Sequence, residues 1–170
     1  MANASELTSH SLRSSFPPVS GETYMGRTIA WATLVAGTLD ILAATFLSLV
    51  RGKAPADMLR GVASGPFPGA SEWGTSGAIL GVATHFTLMA LMVTVFVVVA
   101  QRRPALTVSP LKWGVIYGLV TYVIMNLIVV PLRFGAWPPK PVAIATQLFC
   151  HIVLVGIPIA LITARRARSR

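Results

Sequence analysis

Four stretches of this chain are apolar over lengths that only a membrane-crossing helix needs. They cover about 27–50, 76–100, 111–130 and 142–164. Crossing bilayer hydrocarbon takes ~20 helical residues, and in that medium only helices and closed barrels satisfy every backbone N–H and C=O. The runs are rich in Leu, Val, Ile and Ala without the two-residue alternation of a barrel strand, so helices are predicted. The expected fold is an all-α membrane protein, a four-transmembrane-helix bundle within 27–166. Composition agrees with this. Of 170 residues 54% are hydrophobic and 11% charged, with a mean hydropathy of +0.71. A domain this small cannot hide so much apolar surface from water.

Charge gives the bundle a direction. The net charge of +9 does not point to nucleic acid, because the basic residues cluster between apolar runs and not along one exposed face. Arg13, Arg27, Arg102, Arg103, Lys112, Arg165, Arg166, Arg168 and Arg170 fall on one side; Arg51, Lys53, Arg60, Arg133 and Lys140 fall on the other. The positive-inside rule then predicts both termini in the cytoplasm of a bacterial inner membrane. Residues 1–26 read as a flexible cytoplasmic tail and 167–170 as a basic C-terminal tail. The first outer connection contains PADMLRGVA (55–63), which reads as two helical turns at the interface, then the irregular GPFPG (65–69). Trp73 and Trp137 suit the head-group layer. Such connections read either as plain links or as covers over a site.

The two halves look alike. Each odd span ends near a single outer arginine (Arg51, Arg133), and each even span holds a histidine in its outer half and ends in an arginine pair. This is the pattern of two pseudo-repeated helical hairpins. Gly77 and Gly81 on the second span, Gly114 and Gly118 on the third, and Gly37 on the first form small-residue stripes, which let helix backbones approach closely in lipid. Pro158 removes an i→i−4 hydrogen bond late in the fourth span and predicts a kink. Cys150, the single cysteine, excludes an intramolecular disulfide and reads as a buried small hydrophobe.

The chemically informative residues are polar ones deep in these spans. Asp40, His85, His151 and Tyr122 all lie ~14–15 Å from the outer helix ends, near the midplane. Asn126 and Gln147 lie about a turn nearer the outside. An ionised Asp in hydrocarbon costs at least ~2.5–3.5 kcal/mol, so Asp40 is expected to face inward and find a partner or take up a proton. The expectation is that Asp40 faces His85 or His151, with Tyr122 joining them. Three uses of this layer are open. It is a site for protons or ions in a small transporter, a structural clasp that fixes helix register, or a bis-histidine seat for b-type haem. No cofactor is predicted, and two histidines are too few to specify zinc. Hydrolase, phosphate-loop and dinucleotide motifs are absent, so an enzyme is the lesser expectation, and an enzyme or a metal site is left open beside the three uses above. The lipid bilayer is the expected partner, a homo-oligomer or a membrane-protein partner is left open, and no residue names a substrate.

GVATHF (81–86), Pro104, KWGVIYGL (112–119), VVPLRFGAWPP (129–139) and FCHIVLVG (149–156) together make residues 77–166 resemble the YagU-like bacterial inner-membrane proteins. The anchors are His85, Gly118, Pro131, Leu132, Pro138, Pro139 and His151. The resemblance implies a small multi-pass inner-membrane protein with a link to acid tolerance. It implies no reaction, and the first span matches it less well.

Overall fold

The computed structural model describes residues 21–169, which form helices and turns. In chain order these are α1 (Gly21–Val50), α2 (Pro55–Ala63), a 3-10 turn (Ala70–Glu72), α3 (Gly74–Arg102), α4 (Ala105–Val108), α5 (Pro110–Phe134) and α6 (Pro141–Arg168). Four of them, α1, α3, α5 and α6, are long and apolar enough to cross a membrane. The helices overrun the expected spans by one to several residues. α1 begins within the segment expected to be tail, and α6 runs into the expected C-terminal tail. The rest of the expected tails, residues 1–20 and Arg170, lies outside the described residues.

Proline and glycine punctuate these elements in the positions where they cost least. Proline occupies the first turn of α2, α5 and α6, where its missing N–H would be unpaired anyway. At the other end, Gly52 (φ 70°) closes α1 and Gly135 (φ 64°) closes α5, each in the left-handed conformation that glycine adopts without penalty. Arg133 and Phe134 precede that second stop, with the Arg133 guanidinium 5.3 Å from the Phe134 ring centre.

The bundle has two unlike halves. Toward the end that carries α4, a packed core joins Ala32 and Ala36 of α1, Val93, Phe96 and Val97 of α3, and Ile159 and Ala160 of α6. Tyr117 of α5 braces it, donating a 2.6 Å hydrogen bond to the Met92 carbonyl with its ring 5.0 Å from Phe96. Toward the α2 end the helices part around a cavity. The outer surface carries Leu42, Phe46, Leu49, Ile79, Leu91 and Leu132 exposed. In water such a girdle would drive aggregation; against lipid it is the contact surface.

Glycines set how closely the helices meet. A Cβ on Gly114 would lie 2.8 Å from the Ile157 Cα, and one on Gly118 2.6 Å from the Ile152 Cα. From the opposite side, a Cβ on Gly156 would meet the Gly118 Cα at 2.8 Å. α5 and α6 therefore touch backbone to backbone, the close approach that small-residue stripes permit. Gly37 similarly admits the Phe86 ring, whose Cε1 would stand 2.7 Å from an added Cβ. Gly77 and Gly81 receive the first connection: Gly77 meets the Ala70 carbonyl, and Gly81 meets the backbone of Leu59 in α2. α2 thus leans into the bundle one turn above His85, with Ala63 fully buried, and does not simply float at its edge.

Candidate functional site

Two of the four long helices contain a widened turn, and each turn carries one of the candidate polar residues. The first covers Val123–Val129 in α5 and holds Asn126; the second covers Cys150–Gly156 in α6 and holds His151. Each ends just before a proline, Pro131 or Pro158. In a regular helix the proline ring would press on the carbonyl four residues back and leave it without a donor. Here the residue before each proline bonds five residues back, Val130 N–H to the Met125 carbonyl and Ile157 N–H to the Ile152 carbonyl. The expected kink at Pro158 therefore takes the form of a π-turn, and Pro131 produces a second one. Such turns insert one extra residue and re-aim the side chains within them.

The re-aimed side chains meet. Asn126 Nδ2 donates to His151 Nε2 at 3.0 Å. His151 Nδ1–H then points at Thr121 Oγ1, 3.3 Å away, and the Thr121 hydroxyl donates to the Gly118 carbonyl at 3.0 Å. Every donor in this chain has an acceptor when the imidazole is neutral with its proton on Nδ1. Tyr122 sits edge-on to the His151 ring, 6.0 Å between centres.

The other histidine is held differently. His85 Nε2 lies 3.0 Å from the Gly37 carbonyl; a carbonyl only accepts, so this nitrogen carries the proton. Nδ1 then faces Asp40 Oδ2 at 4.0 Å. That is outside direct hydrogen-bond range. Two acceptors face each other here unless one more proton resides on the pair, as imidazolium or as carboxylic acid. The edge of the Phe86 and His85 rings closes one flank, 5.3 Å between centres.

The predicted layer is thus two clusters, one per hairpin, and not one. Asp40 pairs with His85 and not with His151; Tyr122 joins His151 and not Asp40. Both clusters line one cavity of about 280 Å³, to which Asn126 and Gln147 also contribute. Met89, Met92 and Val155 form its floor against the packed core, and Met58, Leu59 and Val62 of α2 form its roof. Arg133 fastens that roof, donating from Nε to the Gly65 carbonyl at 2.6 Å and from Nη2 to the Ser64 carbonyl at 2.7 Å. The Arg60–Asp57 ion pair stiffens α2 itself. Sequence reasoning missed Thr121, Gly156 and Arg133. A proline two residues beyond Val129 and Gly156 was the available signal for the widened turns.

A b-type haem does not fit these histidines. A bis-histidine haem needs a free ring nitrogen on each, and both nitrogens of His151 are engaged, by Asn126 and Thr121. Among the described residues no group of three or more His, Cys, Asp or Glu side chains is arranged to hold a metal. Cys150 is buried beside His151 in sequence but belongs to no such group. No family model, no curated protein and no solved structure matches this chain.

Proposed function

We propose that this is a small transport protein of a bacterial cytoplasmic membrane that handles protons at the Asp40–His85 pair. The carrying observation is the geometry of that pair. With Nε2–H committed to the Gly37 carbonyl, Nδ1 and the carboxylate share room for one more proton at the wall of a midplane cavity. Intramembrane carboxylate and imidazole groups are costly to keep unless paired, and such pairs mark proton paths in pumps and transporters. The resemblance to YagU-like proteins, with its link to acid tolerance, points the same way. The asymmetry of Arg and Lys between the two ends supports both termini being cytoplasmic.

The test is proton flux in liposomes that contain the full-length protein, followed with an internal pH dye. Wild type is expected to dissipate an imposed pH gradient. Asp40→Asn and His85→Ala should each lower the rate by about tenfold or more, the range typical of losing a positioned proton carrier. Flux that is absent in wild type, or equal in all three proteins, rejects the proposal. A structural clasp is the second reading. It is favoured by His85 tying α3 to the α1 backbone and by Asn126 tying α5 to α6. In that case both variants lose thermal stability and no proton flux is found in any of them.

A further inference from the structure

Among the described residues Gln147 borders three separate spaces. It lines the midplane cavity, a second cavity of about 360 Å³ between the end of α1 and α2, and a third of about 450 Å³ under the 136–140 segment between α5 and α6. The second and third spaces lie toward the α2 end, above the midplane cavity, as two vestibules. Ala44, Leu47 and Met58 are shared between the first vestibule and the cavity, and Asn126 and Val130 between the other vestibule and the cavity. On the opposite side the packed core lies against the cavity floor. Gln147 is the residue common to the cavity and both vestibules.

The charges lining those entrances are predominantly positive. Arg51 and Lys53 line the first vestibule and Lys140 the second, all three exposed. The single carboxylate among the lining residues, Asp57, is already taken by Arg60. At the junction, the Gln147 amide makes no hydrogen bond within the described residues, which leaves an N–H donor for an incoming group. Low-dielectric walls with a net positive lining concentrate anions and repel cations. From this we infer that the solute is a small monovalent anion, of carboxylate or comparable oxyanion chemistry, drawn through the two vestibules and admitted past Gln147. The cavity suits the size class, since at ~30 Å³ per water-sized group it holds only roughly nine such groups. This inference rests on the proposed transport role and names its substrate class. The anion would bind beside Asp40 once the Asp40–His85 pair holds its additional proton, so that one proton and one anion enter the cavity together without net charge.

The experiment is binding of radiolabelled lactate to the full-length protein in nanodiscs of zwitterionic phosphatidylcholine, with radiolabelled methylammonium as the cationic control. Lactate is expected to bind saturably and methylammonium not at all. Arg51→Gln combined with Lys53→Gln should raise the half-saturating lactate concentration about tenfold or more, and Lys140→Gln should raise it as well. These side chains are exposed, so the variants keep the fold. Methylammonium binding in place of lactate, or lactate binding equal in all variants, overturns the inference. If nanodiscs with phosphatidylglycerol show tight retention of that lipid, lost in the same variants, while lactate does not bind, the cations serve lipid head groups and the inference also falls. Lactate binding without any proton flux would sink the proton-handling role and leave the anion site standing. Proton flux without lactate binding would do the reverse.

Discussion

A histidine in hydrocarbon must place two ring nitrogens, and the two histidines of this bundle solve that problem in opposite ways. His151 is enclosed in a chain of oriented bonds from Asn126 through Thr121 to the Gly118 carbonyl. His85 has one nitrogen fixed on Gly37 and the other facing a carboxylate it does not quite reach. In the first arrangement both nitrogens are engaged, Nε2 accepting from Asn126 and Nδ1 facing Thr121. In the second, Nδ1 faces the Asp40 carboxylate across a gap. Interhelical hydrogen bonds in membranes couple side chains by about 0.6 kcal/mol on average, with a ceiling near ~1.7 kcal/mol. A double-mutant cycle of Asn126→Ala and His151→Ala, read by unfolding in detergent, should give a coupling energy in that range. A value indistinguishable from zero would mean the Asn126–His151 bond contributes nothing to holding α5 on α6.

At the scale of elements, the widened turns of α5 and α6 are the devices that bring Asn126 and His151 together. One inserted residue rotates everything on its N-terminal side by ~100° relative to the rest of the helix. Pro158→Ala restores a donor to the i→i−4 ladder and removes the ring that forced the wider turn. The helix is then expected to return to regular pitch and turn Cys150 out of its buried position. Because Cys150 is the single cysteine and is only 4% exposed, maleimide labelling in the native protein reports this directly. Labelling should be negligible in wild type and substantial in Pro158→Ala. Equal, slow labelling of both would show that the widened turn does not depend on the proline. The glycine contacts at 114, 118 and 156 bring the two widened turns close enough for their side chains to bond.

At the scale of the whole molecule, the polar cavity lies on the α2 side of a packed core, and a separate space of about 280 Å³ lined by Thr28, Ala100, Pro104 and Thr163 lies at the α4 end. The core is braced by Tyr117; the polar cavity is roofed by α2, which Arg133 holds from the second hairpin. The biological sense of the polar cavity depends on which way the chain sits. The arginine distribution predicts that the α2 end faces outward. A reporter active only in the periplasm, fused after Arg170, should stay silent, while the same reporter inserted in the 65–69 segment should be active. The opposite pair of results would reverse the orientation and make the vestibules cytoplasmic.

What the sequence determined by itself was whatever depends on local chain chemistry. Four apolar runs must become four helices because lipid offers no partner for a free backbone group. Asp40, His85, His151 and Tyr122 must share a depth because rise per residue is constant. Prolines at 55, 110 and 141 start helices, and glycines at 52 and 135 stop them. Depth, however, does not select a partner. That Asp40 meets His85 while Tyr122 meets His151, and that Gly77 and Gly81 receive the α2 connection, are outcomes of helix rotation and packing. The same holds for Gln147, which joins three spaces only because three helices and two connections converge on it. Rotation in α5 and α6 is reset by a single extra residue in each, a change that apolar periodicity hardly registers. Only the tertiary structure could divide the predicted single polar layer into one satisfied cluster and one with room for a proton.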